Sequence, residues 1–130
     1  MLELWAGLGY YARARNLHAC ARTVVAEHQG RFPETATALA SLPGIGRSTA
    51  AAISAFAFGQ RAAILDGNVK RVFCRVFGIE GVPTTTSVDR QLWELADTLL
   101  PKKEVAAYTQ GLMDLGATCC TRAKAQCSIC

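Results

Sequence analysis

The run Leu42-Pro43-Gly44-Ile45-Gly46 ends one apolar helical pattern and opens the next, so the chain must turn sharply there. Two glycines flanking one aliphatic residue allow a tight turn with positive φ values. With no side chains in the way, the backbone N–H groups of Gly44 and Gly46 can approach a ligand closely. A helix starting near Ser48 adds its unpaired N–H groups and the positive end of its dipole. Together these make an anion site. Ile45 packs between the flanking helices, and Arg47 adds a cation at the mouth. A generic Pro-Gly-x-Gly could simply connect two helices. The full string Leu42 to Ala50, Leu-Pro-Gly-Ile-Gly-Arg-Ser-Thr-Ala, is far more specific.

Punctuation elsewhere is helical too, with no strong strand pattern, repeat or low-complexity segment. After the Gly7-Leu8-Gly9 turn a helix is expected over Tyr11–His28, with Leu17, Ala21, Val24 and Val25 on one face and Gly30 at its end. Further helices are expected over Glu34–Leu42, Ser48–Phe58 closed by Gly59, and Gly67–Phe77 closed by Gly78. The Gly67–Phe77 helix should turn Val69, Val72, Phe73 and Val76 inward. Thr86-Ser87-Val88-Asp89 reads as a capping box ahead of Leu92, Leu95, Ala96 and Leu99. A sixth helix fits Glu104–Leu115, with Gly116 as its cap. Short, tightly linked helices bury apolar surface only against one another, so the fold class is all-α, a compact helical bundle.

Lys and Arg exceed Asp and Glu by 14 to 10, a balance that permits a polyanionic partner without demanding one. No stretch approaches the roughly 20 apolar residues of a membrane span, and the start has no secretory pattern. Of six cysteines, Cys20 and Cys74 sit alone in apolar helical stretches as buried free thiols. Cys119, Cys120, Cys127 and Cys130 crowd into the last twelve residues, where they read as a metal site in a reducing compartment. A zinc site would more often show paired Cys-x2-Cys elements. The tail from Ala117 has no periodicity, so its order must come from something other than a packed face.

Asp66 stands at the N-cap position of the fourth helix, in Ile64-Leu65-Asp66-Gly67-Asn68-Val69-Lys70-Arg71. Alone, this is most simply a structural cap worth about 1 kcal/mol. A helix N-terminus also favours negative charge, and a carboxylate can stabilise the oxocarbenium ion formed when a glycosidic bond breaks. One residue can be both cap and catalyst. Asp66 follows Gly46 by twenty residues, across one helix and one loop, so a strand pinned at the hairpin could present a nearby sugar to it.

The string Leu42–Ala50 resembles the helix-hairpin-helix motif of DNA repair proteins. With Ile64–Arg71, Leu4–Leu17, Phe32-Pro33-Glu34-Thr35 and Met113–Ala117, the whole chain resembles the helix-hairpin-helix DNA glycosylase superfamily, the Gly-Pro-Asp class. It is most similar to the adenine-specific branch, which removes adenine mispaired with guanine or 8-oxoguanine. The resemblance implies that Asp66 stabilises the cationic sugar, that Asn68 is a supporting polar residue, and that Tyr10 wedges into the duplex as the base is flipped. On sequence alone Tyr10 and Tyr11 would rather be core or surface aromatics. The expected DNA contacts are Tyr10, Leu42, Gly44, Ile45, Gly46, Arg47 and Ser48, on double-stranded DNA, by a monomer. Backbone contacts of this kind position a protein without reading sequence. Related glycosylase/lyases of the thymine-glycol type carry a lysine at the Ser48 position, whose amine attacks the sugar. Serine implies a monofunctional enzyme that uses water, and Lys70 is expected to be a surface or phosphate contact. Cys120, Cys127 and Cys130, in a Cys-x6-Cys-x2-Cys spacing, resemble the start of the family's four-cysteine loop for a [4Fe–4S] cluster. The fourth ligand is expected beyond Cys130, Cys119 is a spare thiol, and Arg122 and Lys124 could meet a phosphate.

The chain departs from the family in lacking the Glu-x-x-x-Gln-Gln-Thr-type helix whose glutamate protonates adenine, and Glu3 is no substitute. The C-terminal domain that inspects 8-oxoguanine is likewise expected outside these 130 residues. The expected organisation is a helical glycosylase core over residues 1–116 and a partial cluster loop over 117–130, inactive without the acid. The expected setting is the cytoplasm of a bacterium, or the nucleus or mitochondrion of a eukaryote. The alternatives are a non-catalytic DNA-binding module and a relative of the thymine-glycol type.

Overall fold

A computed structural model describes residues 5–130. Six α-helices follow one another: α1 (Tyr11–Glu27), α2 (Ala36–Ala40), α3 (Arg47–Phe58), α4 (Gly67–Phe77), α5 (Thr86–Leu99) and α6 (Val105–Asp114). A π-helical turn, Leu115–Cys119, and a 3-10 turn, Cys127–Ile129, complete the chain. No strand occurs among the described residues, so the all-α expectation holds. Glu3, and Leu4 at the head of its motif, lie outside the described residues.

Helix α4 begins and ends where the sequence places it, because Asp66 caps one end and Gly78 stops the other. Its buried face is Val69, Val72 and Phe73, whereas Val76 is exposed. Helix α3 is unusual in having small buried positions, Ala50, Ala51, Ser54 and Ala55. Ala51 and Ala55 join the larger core, with Ile64, Leu65, Val69, Val72, Phe73, Leu92 and Ala96 from the rest of the bundle. Ala50 faces the other way, into a smaller core with Cys20, Val24, Leu39 and Leu42, against which Ile45 packs. The buried Ser54 hydroxyl donates to the Glu34 carbonyl at 2.6 Å, satisfying itself and tying down the approach to α2.

Four local expectations fail. Helix α1 buries Ala14, Cys20 and Val24; of the expected face only Val24 is inward, and Leu17, Ala21 and Val25 are exposed. Cys20 and Val24 pack in the small core under the hairpin, and Asn16 lies against Gly44. At α5 the capping box does not form: Thr85 is the N-cap and its hydroxyl donates to the Val82 carbonyl, while the Asp89 carboxylate pairs with Lys70. Gly116 does not cap α6, which runs on into the π turn. Cys74, expected to be buried, is half-buried.

Leu92 is completely buried at the centre of the larger core, and Val25 is 70% exposed on α1. We expect Leu92→Ala to cost about 2–5 kcal/mol in urea unfolding. Val25→Ala should stay within about 0.5 kcal/mol of the parent.

Candidate nucleic-acid interface

The hairpin is a true turn: the Ile45 N–H donates back to the Leu42 carbonyl at 3.1 Å. Gly44 has φ +78, and a Cβ there would come within 2.5 Å of Asn16 Cβ, so glycine is required twice over. Gly46 differs from the expectation. Its backbone is extended (φ −80, ψ 167), and a Cβ would meet nothing within 4 Å. Neither fold nor packing demands glycine at 46. Helix α3 then starts with no side-chain cap, which leaves its first N–H groups facing outward beside Gly46. Arg47, however, is turned away: its guanidinium lies 3.6 Å from the centre of the Trp93 ring and 3.6 Å from the Asp97 carboxylate, both on α5.

Ser48, in the first turn of α3, reaches across the molecule. Its Oγ accepts the Leu65 N–H at 3.0 Å, immediately before Asp66. The first turn of α3 and the residue before Asp66 are therefore joined by one hydrogen bond. Asp66 is half-buried, and its Oδ1 accepts the Val69 N–H at 2.8 Å as the N-cap of α4. Two residues on, the Asn68 Oδ1 accepts from Arg71 at 2.9 Å. Arg71 also donates to the carbonyls of Gly116, at 2.5 Å, and Cys120, at 2.8 Å. The π turn presses against this corner: a Cβ on Gly116 would come within 2.7 Å of Asn68 Cβ and 3.3 Å of its backbone. Lys70, expected at the surface, is paired with Asp89 in a half-buried setting.

Tyr10 stands apart from both cores. It is 82% exposed and sits in the left-handed region (φ 46, ψ 49) at the N-cap of α1. A non-glycine residue held there stores strain, a feature that gathers at functional sites. The Trp5 indole N–H donates to the Gly9 carbonyl at 2.9 Å and fixes the approach to it.

A family model described as the HhH-GPD superfamily base excision DNA repair protein matches residues 1–98. The chain belongs to this superfamily. Among curated relatives it is 50% identical to the human adenine DNA glycosylase over 98% of its own length and 24% of that protein's. It is 40% identical to the adenine DNA glycosylase of Buchnera aphidicola, over all of this chain and 37% of the relative. The chain thus spans between a quarter and two fifths of these relatives. Among solved structures it is similar to a thermostable thymine-DNA glycosylase (TM-score 0.80, 38% identity, 90% of this chain and 54% of the other). It is also similar to an endonuclease III in a non-covalent complex with DNA (TM-score 0.79, 27% identity, 95% of this chain and 56% of the other).

In this HhH-GPD chain the cysteine tail is organised by α4. Arg75, one turn after Arg71, donates to the carbonyls of Thr121 at 2.7 Å and Arg122 at 3.1 Å, and reaches Cys120 Sγ at 3.3 Å. Sequence reading missed both arginines. Their i, i+4 spacing was visible, but nothing in it says that they face a segment some 45 residues away. Partial burial raises the Cys119 thiol pKa, and a hydrogen bond with Cys130 and the nearby Cys120 and Cys127 raise it further. Thiols are soft donors of the type an iron–sulfur cluster takes. Among the described residues no three His, Cys, Asp or Glu side chains yet converge closely enough to hold a metal ion. The donor chemistry fits; a bound cluster would have to draw the thiols together.

The two hairpin glycines separate folding from binding. Gly44→Ala should lower the melting temperature, since it strains φ and strikes Asn16. Gly46→Ala should leave the melting temperature unchanged and weaken binding to duplex DNA several-fold, because its methyl stands where a phosphate would approach. Calorimetry and fluorescence anisotropy read the two effects.

Proposed function

We propose that the chain is the central part of a monofunctional adenine DNA glycosylase, which hydrolyses the N-glycosidic bond of adenine mispaired with 8-oxoguanine or guanine in double-stranded DNA. The observation that carries this reading is the Ser48–Leu65 hydrogen bond, which sets Asp66 in fixed relation to the hairpin's free N–H groups. A strand held by its phosphate at Gly44–Gly46 and the first turn of α3 then lies beside a carboxylate. Leu42 and Ile45 fix the hairpin beneath it, and the exposed, strained Tyr10 is the wedge that fills the stack when adenine is turned out.

In the reaction, Asp66 carries negative charge beside the sugar as positive charge develops on it, and water completes the hydrolysis. Asn68, oriented by Arg71, supports the same corner. Ser48 offers no amine, and Lys70 is occupied by Asp89, so neither forms a Schiff base in place of water. Protonation of the departing adenine is assigned to none of the described residues. Cys120, Cys127 and Cys130 would hold a [4Fe–4S] cluster with one further ligand. When bound, the cluster supplies thiolate bonds that order the tail. On this reading residues 1–116 are the glycosylase core and 117–130 the start of the cluster loop. The protein works as a monomer wherever cellular DNA is, in a bacterial cytoplasm or a eukaryotic nucleus or mitochondrion.

Asparagine caps a helix as well as aspartate does. In a polypeptide that also carries the family's upstream glutamate, Asp66→Asn should keep the melting temperature and lower single-turnover adenine release by about a hundredfold or more. Full activity in that variant would remove Asp66 from the chemistry. Affinity for duplex DNA should fall linearly on a log–log plot against salt, as phosphate contacts release counterions. A salt-independent affinity would rule out the hairpin as a phosphate anchor.

A further inference from the structure

Arg47 directly follows Gly46, yet its guanidinium serves α5. It stands over the face of Trp93 and beside Asp97, and the Arg47 and Asp97 side chains are each 59% exposed. Neither charged side chain belongs to a core, although the Trp93 ring beneath the guanidinium packs against the larger one. Resting on the reading that the hairpin binds the DNA backbone, we infer that Arg47 is shared between two anions. Asp97 is its partner in the free protein and a backbone phosphate is its partner in the complex, so Asp97 is an internal competitor that sets DNA affinity.

The two anions suit the same group, because a guanidinium fork takes a carboxylate or a phosphate in similar geometry. Trp93 plays a different part. Its ring attracts the cation without neutralising it, so a guanidinium there keeps its charge for a phosphate. The exchange is easy in both directions. An exposed ion pair is weak, and a phosphate that replaces the carboxylate gains the release of a counterion from DNA. Asp97 therefore lowers affinity for any duplex, independent of sequence, which suits a protein that must leave undamaged DNA.

Glu94 is the internal control. It lies one turn before Asp97 on the same helix and lines the same cleft, yet makes no ion pair with Arg47. Binding of an undamaged mixed-sequence duplex is measured by anisotropy across a salt series. The proteins compared are the parent, Asp97→Asn, Glu94→Gln, Arg47→Gln and the Arg47→Gln/Asp97→Asn double variant. All three positions are exposed, so the variants are expected to fold.

Asp97→Asn should bind about threefold or more tightly, and Glu94→Gln should match the parent. Arg47→Gln should bind more weakly, with a salt slope shallower by about one, and Asp97→Asn should add nothing in its background. The inference is overturned if Asp97→Asn gives no gain. It is equally overturned if Glu94→Gln gives the same gain, or if the gain persists without Arg47, since either shows a bulk charge effect. Salt-independent binding by the parent would overturn the hairpin reading, and this inference with it.

Discussion

Helix α3 has a core on each side of it, and it can serve both because its buried positions are alanine and serine. Larger residues at 50, 51, 54 and 55 would push apart the hairpin side, built on Leu39, Leu42 and Cys20, from the side that carries Leu65 and Val69. Close packing of small residues keeps those two sides near each other. The uncapped N-terminus of the same helix adjoins the hairpin, and its Ser48 hydroxyl reaches the loop before Asp66. Hairpin and carboxylate are thereby referenced to one rigid element. Sites built on helices hold their geometry better than sites built on loops alone.

Helix α4 performs the matching task at its other face. Its N-terminus holds Asp66 as a cap, and one and two turns on, Arg71 and Arg75 hold the cysteine tail. The tail is neither a regular helix nor a strand, so its carbonyls need partners from elsewhere. Two guanidinium groups supply them, which gives order to a segment with no apolar periodicity. The π turn that delivers this segment passes so close to Asn68 that only glycine fits at 116. A π turn of this kind is a frequent mark of functional regions.

Charge near the site is largely committed within the protein. Lys70 is paired with Asp89, and Arg47 with Trp93 and Asp97. The hairpin itself presents backbone: the N–H groups of the turn and of the first turn of α3. Such groups carry no side-chain entropy and read no base, which suits the backbone grip proposed for the hairpin.

The helical class, the hairpin, the limits of α4 and the cap role of Asp66 were all legible in the sequence, because they depend on residues within one or two turns of each other. Glycine stops, caps and the Pro-Gly-x-Gly turn act through local backbone geometry that composition alone dictates. The outward face of α1, the missing capping box, the π turn at Gly116, the placement of Arg47 on Trp93 and the grip of Arg71 and Arg75 on the tail were not. Each is decided by what lies across the fold. Cys20 and Val24 are inward because they pack with Leu39 and Leu42 under the hairpin, and Asp89 pairs with Lys70 across the fold instead of capping its own helix. Long charged side chains have many possible partners along a sequence and only one or two in a packed bundle, so only the tertiary structure could say which of them were taken.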